Sequence, residues 1–297
     1  MTFIHSYIEE LKTNGAADTT ISSRARKLSQ IAKMADLTKP EEIKLLISQQ
    51  KWNTSTKATF TQVYGGLINY LAEKYSLPIQ WKPPKYTKQR RLPFIPTETE
   101  IDQLIASCHS KHMIALLQTL KETGMRIGEA LLLTWVNLDY ERKTVNITPE
   151  KGSNPRILPI SDRLIAMLKF LDTSRSKPFY RKDSAYRTSY TKTRKLAAKN
   201  LNNPRIKQIA FHTFRHWKAT IEYHNTKDVI HVKNLLGHRD IECTMIYINL
   251  EQATFLSDND HWISRVAHNE TEECQLIEAG FEHVANRGDL HFYRKRK

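Results

Sequence analysis

The sequence predicts a mainly helical protein with a small β-sheet or hairpins, in two domains joined by a basic linker. A helical domain is expected over residues 1–82 and a mixed α+β domain over 97–297, with the linker at 83–96. Three observations carry this reading. The chain has 297 residues, against roughly 150 per domain, and 40% hydrophobic residues are enough to build a core in each half. Apolar residues recur at helical spacing through most of the chain and give way to short β-prone runs only near the middle. Helical periodicity stops at KPPKYTKQRRLPFIPT, residues 82–97, where four prolines and five cations replace it.

In the first domain Ile4, Tyr7, Ile8 and Leu11 share one helical face, as do Ile21, Leu28, Ile31 and Met34, and then Val63, Leu67, Ile68 and Leu71. Asp18 is placed to cap the second of these helices, and Pro40 with Glu41 and Glu42 opens another. A small helical bundle follows. The linker cations Lys82, Lys85, Lys88, Arg90 and Arg91 suit a segment lying along phosphates, the plain alternative being a solvated connection.

The second domain opens with helices expected over 98–107 and 111–122, the latter stopped by Gly124, and an apolar helix over 127–135. Two β-prone runs at 144–148 and 156–160 are joined by the turn-rich PEKGSNP, giving a hairpin with Lys151 near its tip. Helical patterning resumes over 162–171. Between Arg175 and Lys207 eleven Lys and Arg face one acid, Asp183, so this stretch carries 11 − 1 = +10 of the whole charge. Its cations, Lys192, Arg194 and Lys195 among them, interleave with Phe179, Tyr180, Tyr186 and Tyr190, as on a surface that neutralises phosphates and packs on sugars; a solvated basic helix face is the alternative. The chain ends in an expected hairpin turned at Asn286 to Asp289 and a four-residue basic terminus.

Lys and Arg number 46 against 31 Asp and Glu, a formal net charge of +15, and the pI is about 9.6. Such a balance points to a polyanion, nucleic acid first and an acidic membrane surface second. The richest apolar runs, such as Leu131 to Val136, fall far short of the roughly 18 to 20 residues of a membrane span. MTFIHSYIEELK lacks the sections of a signal peptide, so a cytoplasmic, nucleoid-associated protein is expected. Cys108, Cys243 and Cys274 form no CxxC pair, which argues against a disulfide framework or structural zinc and reads them as small buried hydrophobes. None of the nine glycines falls in GxxxxGK[ST] or GxGxxG, and GxSxG is missing, so nucleotide cofactors and the usual serine hydrolases have no support. No cofactor is expected.

Four strings bring cations, imidazoles and one tyrosine together: TGMRIGEALLLTWVNLD (123–139), EKGSNPRILP (150–159), HTFRHWKAT (212–220) and LLGHRDIECTMIYIN (235–249). Breaking a DNA phosphodiester without a metal requires donors for the charge that accumulates on the non-bridging oxygens, and arginine forks supply them best. Arg126 and Arg215 sit among apolar neighbours, where a charge needs an ion pair or a ligand. Arg126 also lies three residues before Glu129, the spacing of a simple intrahelical salt bridge. His212 and Arg215 share a helix face, and His216 follows His212 at a spacing that can bind zinc, but the HExxH glutamate and a third ligand are missing. His238 precedes Tyr247 by nine residues, at a loop-to-helix junction.

As a set these strings resemble the tyrosine recombinase, or phage integrase, family. TGMRIGEALLLTW is similar to its first-arginine motif, HTFRH to its HxxR motif, and LGHRDIECTMIY has its histidine-to-tyrosine spacing. The resemblance covers about 98–249 and implies an N-terminal core-binding (SAM-like) helical domain and a mixed α+β catalytic domain, closing on duplex DNA as a C-shaped clamp. It implies Tyr247 as the nucleophile forming a 3′-phosphotyrosine link, Arg126 and Arg215 on the phosphate oxygens, and His212 and His238 donating hydrogen bonds or moving protons. Lys151, in a turn similar to the family's KGxxxR and preferred over Lys143, would protonate the leaving 5′-oxygen, with Glu129 in support. Because a free tyrosine has a pKa near 10, nearby cations are expected to favour the phenolate, and the arginines to lower the Lys151 pKa.

The resemblance also implies double-stranded DNA as partner, four protomers on paired sites, and neither metal nor ATP. ECQLIEAGFEHV and the basic end look like tails of archaeal members, so residues 250–297 are expected either to dock on a neighbouring protomer by tail exchange or simply to extend the domain. Two rivals stay open, a type IB topoisomerase-like relaxing enzyme and a DNA-binding regulator whose catalytic set is idle.

Overall fold

The computed structural model describes residues 2–87, 92–150, 152–255, 262–288 and 290–296. It is mostly helical with two small antiparallel sheets, and it divides into two compact units, 1–91 and 92–297.

The first unit contains α1 (Thr2–Thr13), α2 (Asp18–Ala32), α3 (Pro40–Gln49) and α4 (Thr54–Tyr75). The long α4 is the central element because three helices pack on it, burying Phe60, Val63, Tyr64, Leu67, Ile68 and Leu71 against Leu28, Ile31, Ile43 and Ile47. Tyr64 is fully enclosed, and its hydroxyl donates to the Leu37 carbonyl at 2.9 Å. Asn53 caps α4 by accepting from the Thr56 amide at 2.7 Å. Asp18 differs from its expected role: Ala17 is the cap and Asp18 is the first helical residue, where its charge still suits the positive end of α2.

The second unit runs α5 (Glu98–Ala106), α6 (Lys111–Thr123), α7 (Ile127–Leu132), β1 (Leu138–Asp139), β2 (Thr144–Ile147), β3 (Arg156–Pro159), α8 (Asp162–Lys169), α9 (Asp183–Asn200), α10 (Phe211–Thr226), α11 (Val229–Leu236) and α12 (Glu242–Phe255). Its start is set by Thr97 and Glu100, which cap α5 reciprocally through the Glu100 amide at 3.2 Å and the Thr97 amide at 2.9 Å. The core gathers around α6 and α10, where Leu116, Leu117, Leu120, Phe214 and Trp217 meet Val145 and Ile147 of the sheet.

Several expectations need correction. Helix α7 ends at Leu132 rather than 135, because Leu133 turns extended and the Thr134 amide and hydroxyl both donate to Asn137 Oδ1, at 2.8 and 2.9 Å, closing a 3-10 turn. That turn feeds β1, a two-residue strand too short to show a period, and the hairpin becomes a three-stranded sheet ordered β1-β2-β3. The aromatics of the basic stretch are not a ligand surface. Phe179, Tyr186 and Tyr190 are core, Tyr190 stacking on Phe211 and donating to the Ile209 carbonyl at 2.7 Å, and only Tyr180 is exposed. Cys108 is buried as expected, with its thiol pushed up to about 11 by burial, but Cys243 and Cys274 are exposed.

Residues 262–296 form a small module of β4 (Trp262–Ala267), α13 (Glu270–Glu278), β5 (Glu282–Arg287) and β6 (Leu290–Arg296), with sheet order β4-β6-β5. The expected terminal hairpin is β5 and β6, and a preceding strand and helix complete the sheet. Among the described residues Ala267 and Tyr293 are buried in it, and Glu273 of α13 pairs with His291 of β6 at 2.5 Å.

Candidate active site

Two left-handed glycines shape the site. Gly124 (φ +61) ends α6 and turns the chain so that Arg126 stands at the start of α7. Gly237 (φ +68) ends α11 immediately before His238, and a Cβ there would lie 2.7 Å from the Asn154 carbonyl oxygen. This close approach joins the β2–β3 loop to α11, since the Gly237 carbonyl accepts from the Asn154 amide at 2.9 Å and from Ser153 Oγ at 2.8 Å. Arg215, on the second turn of α10 and 1% exposed, ties the two turns together. Its Nη1 donates to the Gly124 carbonyl at 2.9 Å and its Nη2 to the Leu236 carbonyl at 2.7 Å. Burial, with Arg126 nearby, lowers its pKa to about 10, so it stays charged at neutral pH.

Arg126 reaches Glu129 Oε1 at 3.1 Å and Ser153 Oγ at 2.7 Å through Nη1, and its amide donates to Glu129 Oε2 at 2.8 Å. The intrahelical pair seen in the sequence is therefore real, but only part of a network. Arg156 of β3 grips the same carboxylate at 2.6 and 3.3 Å. Burial disfavours the Glu129 charge, yet the Arg156 hydrogen bonds, the Arg126 amide and the surrounding guanidiniums outweigh it and hold the carboxyl below its usual range.

His212 is open to solvent but crowded on its protein side, and desolvation with Arg215 and Arg126 lowers its pKa. His238 is half-buried, its Nδ1 2.9 Å from the buried Thr244 hydroxyl, and burial followed by the same arginines brings it down to about 4. Tyr247 lies in the middle of α12, 2% exposed, packed among Ala219, Val232, Leu236 and Leu250. Its hydroxyl is 3.2 Å from His216 Nδ1, and burial lowers His216 to about 4 as well. The phenol itself is pushed up to about 12, because burial exceeds the opposing pull of Arg215 and Arg126. This reverses the expectation that the cations would prevail, since they act on a side chain enclosed by apolar neighbours.

Arg126, Glu129, His212, Arg215, His238 and Tyr247 thus converge from α7, α10, the α11–α12 junction and α12. Lys151 lies outside the described residues; of its flanks, the Glu150 carboxylate closes on Gly128 of α7 and Ser153 is held by Gly237. The competing Lys143 is committed to Asp162 at 2.8 Å. Lys88, Arg90 and Arg91 also lie outside the described residues, while Lys82 and Lys85 are exposed in the first unit. On α9, Lys192 and Lys195 are exposed, whereas Arg194 is half-buried and donates to the Ile209 carbonyl at 3.0 Å. Sequence reading missed three site residues. His216 was visible as the second histidine of HTFRH but entered only as a zinc ligand, and Arg156 and Ser153 stood inside EKGSNPR without a signal of their partners. Among the described residues no group of three or more His, Cys, Asp or Glu is placed to hold a metal ion, and no helix is long and apolar enough to cross a membrane.

Residues 96–254 match the model of the phage integrase family, more than half of the chain, and the chain belongs to that family. Among relatives, it is 27% identical over 153 residues to the tyrosine recombinase XerA of Saccharolobus solfataricus, covering 52% of this chain and 51% of that protein. It is 30% identical over 181 residues to the tyrosine recombinase XerD of Oceanobacillus iheyensis, covering 56% and 61%. The matches thus span half to three fifths of the length of these curated relatives. Two solved structures share the fold: a lambda integrase (75–356) dimer bound to a COC′ core site (TM-score 0.64, 12% identity, 83% of this chain and 94% of that one), and XerH site-specific recombinase bound to difH substrate (TM-score 0.59, 21% identity, 84% of each).

Proposed function

We propose that this chain is a site-specific DNA recombinase or integrase that cuts and rejoins DNA through a 3′-phosphotyrosine intermediate, using neither metal nor ATP. The observation that carries the reading is the convergence of two arginines, two neutral histidines and one tyrosine, with Arg126 at the solvent-facing edge and Arg215 locked beneath it. Its partner is double-stranded DNA, four protomers assemble on two sites, and residues 250–297 either exchange between neighbouring protomers or extend the domain.

The Tyr247 oxygen attacks the scissile phosphorus as its proton passes to the neutral imidazole of His212, the bond to the 5′-oxygen breaks, and that oxygen takes a proton from Lys151. Arg126 and Arg215 carry the charge that grows on the non-bridging oxygens, and His212 and His238, neutral at pH 7, donate further hydrogen bonds. The phosphotyrosine conserves the energy of the broken bond, so a second 5′-hydroxyl reverses the step without ATP. With Tyr247 enclosed and bonded to His216, the phenol must turn outward to meet the phosphate, and DNA binding supplies that displacement.

The test uses nicked duplexes from the gene's own genomic surroundings, which trap the cleaved state as the short 5′-hydroxyl fragment diffuses away. Mass spectrometry of the DNA-linked peptide is expected to place the adduct on Tyr247 at one phosphate, and Tyr247→Phe to abolish it with DNA affinity within a few-fold. An adduct surviving in that variant refutes the nucleophile assignment. Relaxation of any plasmid, with no need for paired sites, would instead make the chain a topoisomerase, and tight binding without an adduct a regulator.

A further inference from the structure

The site holds one carboxylate, Glu129, between two guanidiniums, and the two are not equally engaged. Arg156 presents a two-point fork to Glu129, Nη2 to Oε2 at 2.6 Å and Nη1 to Oε1 at 3.3 Å, with side chains 5% and 0% exposed. Arg126 reaches the same carboxylate side chain to side chain through Nη1 alone at 3.1 Å, and that nitrogen is also held by Ser153 Oγ at 2.7 Å. Its side chain is 26% exposed, and the contacts it makes among the described residues leave Nη2 and Nε uncommitted. A bidentate fork is the geometry in which a guanidinium and a carboxylate cancel each other most completely. Were Arg126 alone beside Glu129, it would be drawn into that fork and presented to a phosphate with its charge cancelled and its donors occupied.

We infer that Arg156 is a positioning residue that takes up the charge of Glu129, so that Arg126 keeps a full positive charge and a free edge for the scissile phosphate. The two arginines and the glutamate sum to 2 − 1 = +1 with Arg156 present and to zero without it. Ser153 completes the arrangement, accepting from Arg126 and donating to the Gly237 carbonyl at 2.8 Å, which fixes the guanidinium to the turn that carries His238. Arg156 touches no substrate in this scheme. It acts through Glu129, and Glu129 keeps its part as the acceptor that holds the Arg126 amide at 2.8 Å.

This inference rests on the recombinase reading, and the experiment separates the two. The rate of Tyr247 adduct formation on a nicked duplex at saturating DNA, the DNA dissociation constant and the melting temperature are measured for wild type, Arg156→Gln, Arg156→Lys and the double variant Glu129→Gln/Arg156→Gln. Removing Arg156 alone is expected to slow the adduct about 100-fold, the scale of losing one preorganised donor to a developing oxyanion, with DNA affinity within threefold. The double variant leaves no unpaired buried charge at this pair, so its melting temperature is expected to stay near that of wild type, and it is expected to recover at least about tenfold because nothing then competes with phosphate for Arg126. Arg156→Lys keeps the charge without the fork and is expected to fall between. A structural support would not be restored by deleting its partner, so a double variant no faster than the single one overturns the inference, as does an Arg156→Gln protein reacting at the wild-type rate. A wild-type protein that forms no adduct refutes the recombinase reading itself.

Discussion

Acid titration of the second unit tests the electrostatics of the site most directly. His216 and His238 are both brought from 6.5 to about 4, chiefly by burial and then by neighbouring cations. For a base whose folded pKa is depressed, the unfolded chain takes the proton first: above pH 6.5 both states are neutral and nothing is lost, while between 6.5 and 4 stability falls as pH falls. At about 1.4 kcal/mol per pH unit per histidine, lowering the pH from 6.5 to 5 costs about 2 kcal/mol for each, so about 4 kcal/mol for the pair. Urea unfolding followed by tryptophan fluorescence at pH 7 and pH 5 reads this, because Trp135 and Trp217 pack in the core of that unit. His216→Gln and His238→Gln cannot take up the proton, and each is expected to remove about 2 kcal/mol of the difference between the two pH values. Variants whose pH 7 to pH 5 difference equals that of wild type would refute the claim that these imidazoles are held neutral by their surroundings. The same shifts predict no loss of adduct formation near pH 6.5 from these two groups.

Other consequences follow from individual contacts. Gly237→Ala forces a side chain into φ +68 and to 2.7 Å from the Asn154 carbonyl oxygen, so a stability loss above about 1 kcal/mol and a slowed adduct are expected together, read by urea unfolding and single-turnover cleavage. Lys192→Ala and Lys195→Ala are each expected to lower the salt slope of DNA binding by about one without changing the melting temperature. Arg194→Ala is expected to behave differently: it strips the Ile209 carbonyl of one of its two donors and lowers the melting temperature. A maleimide reagent is expected to label Cys243 and Cys274 in the native protein and to reach Cys108 only after unfolding.

Much of the fold was legible because its signals are local. The periodic faces of α2 and α4, the Pro40–Glu41–Glu42 start of α3, the left-handed stop at Gly124 and the hairpin at 144–159 depend on residues close in sequence. What escaped depends on contacts across the chain. The two-residue strand β1 exists only because β2 pairs with it, and the end of α7 is decided by a Thr134–Asn137 turn that competes with one more helical turn. Phe179, Tyr186 and Tyr190 read as a ligand surface because their alternation with cations is the same whether the chain turns them outward or into the core, and only packing within the core of the second unit chooses.

The sequence by itself determined which chemistry is at hand: an excess of cations, two motif arginines, three histidines and a tyrosine at spacings a helix and a turn can use, and membership of the phage integrase family. Tertiary structure alone decided their physical states. Apolar packing encloses Tyr247 and raises its pKa where the cations alone would lower it, the same burial makes His216 and His238 neutral, and a strand 27 residues from Glu129 supplies the guanidinium that matches its charge. A spacing can place a charged group on a face, but the cost of burying it and the partner that offsets that cost come from residues distant in the chain, and they exist only once the elements have packed.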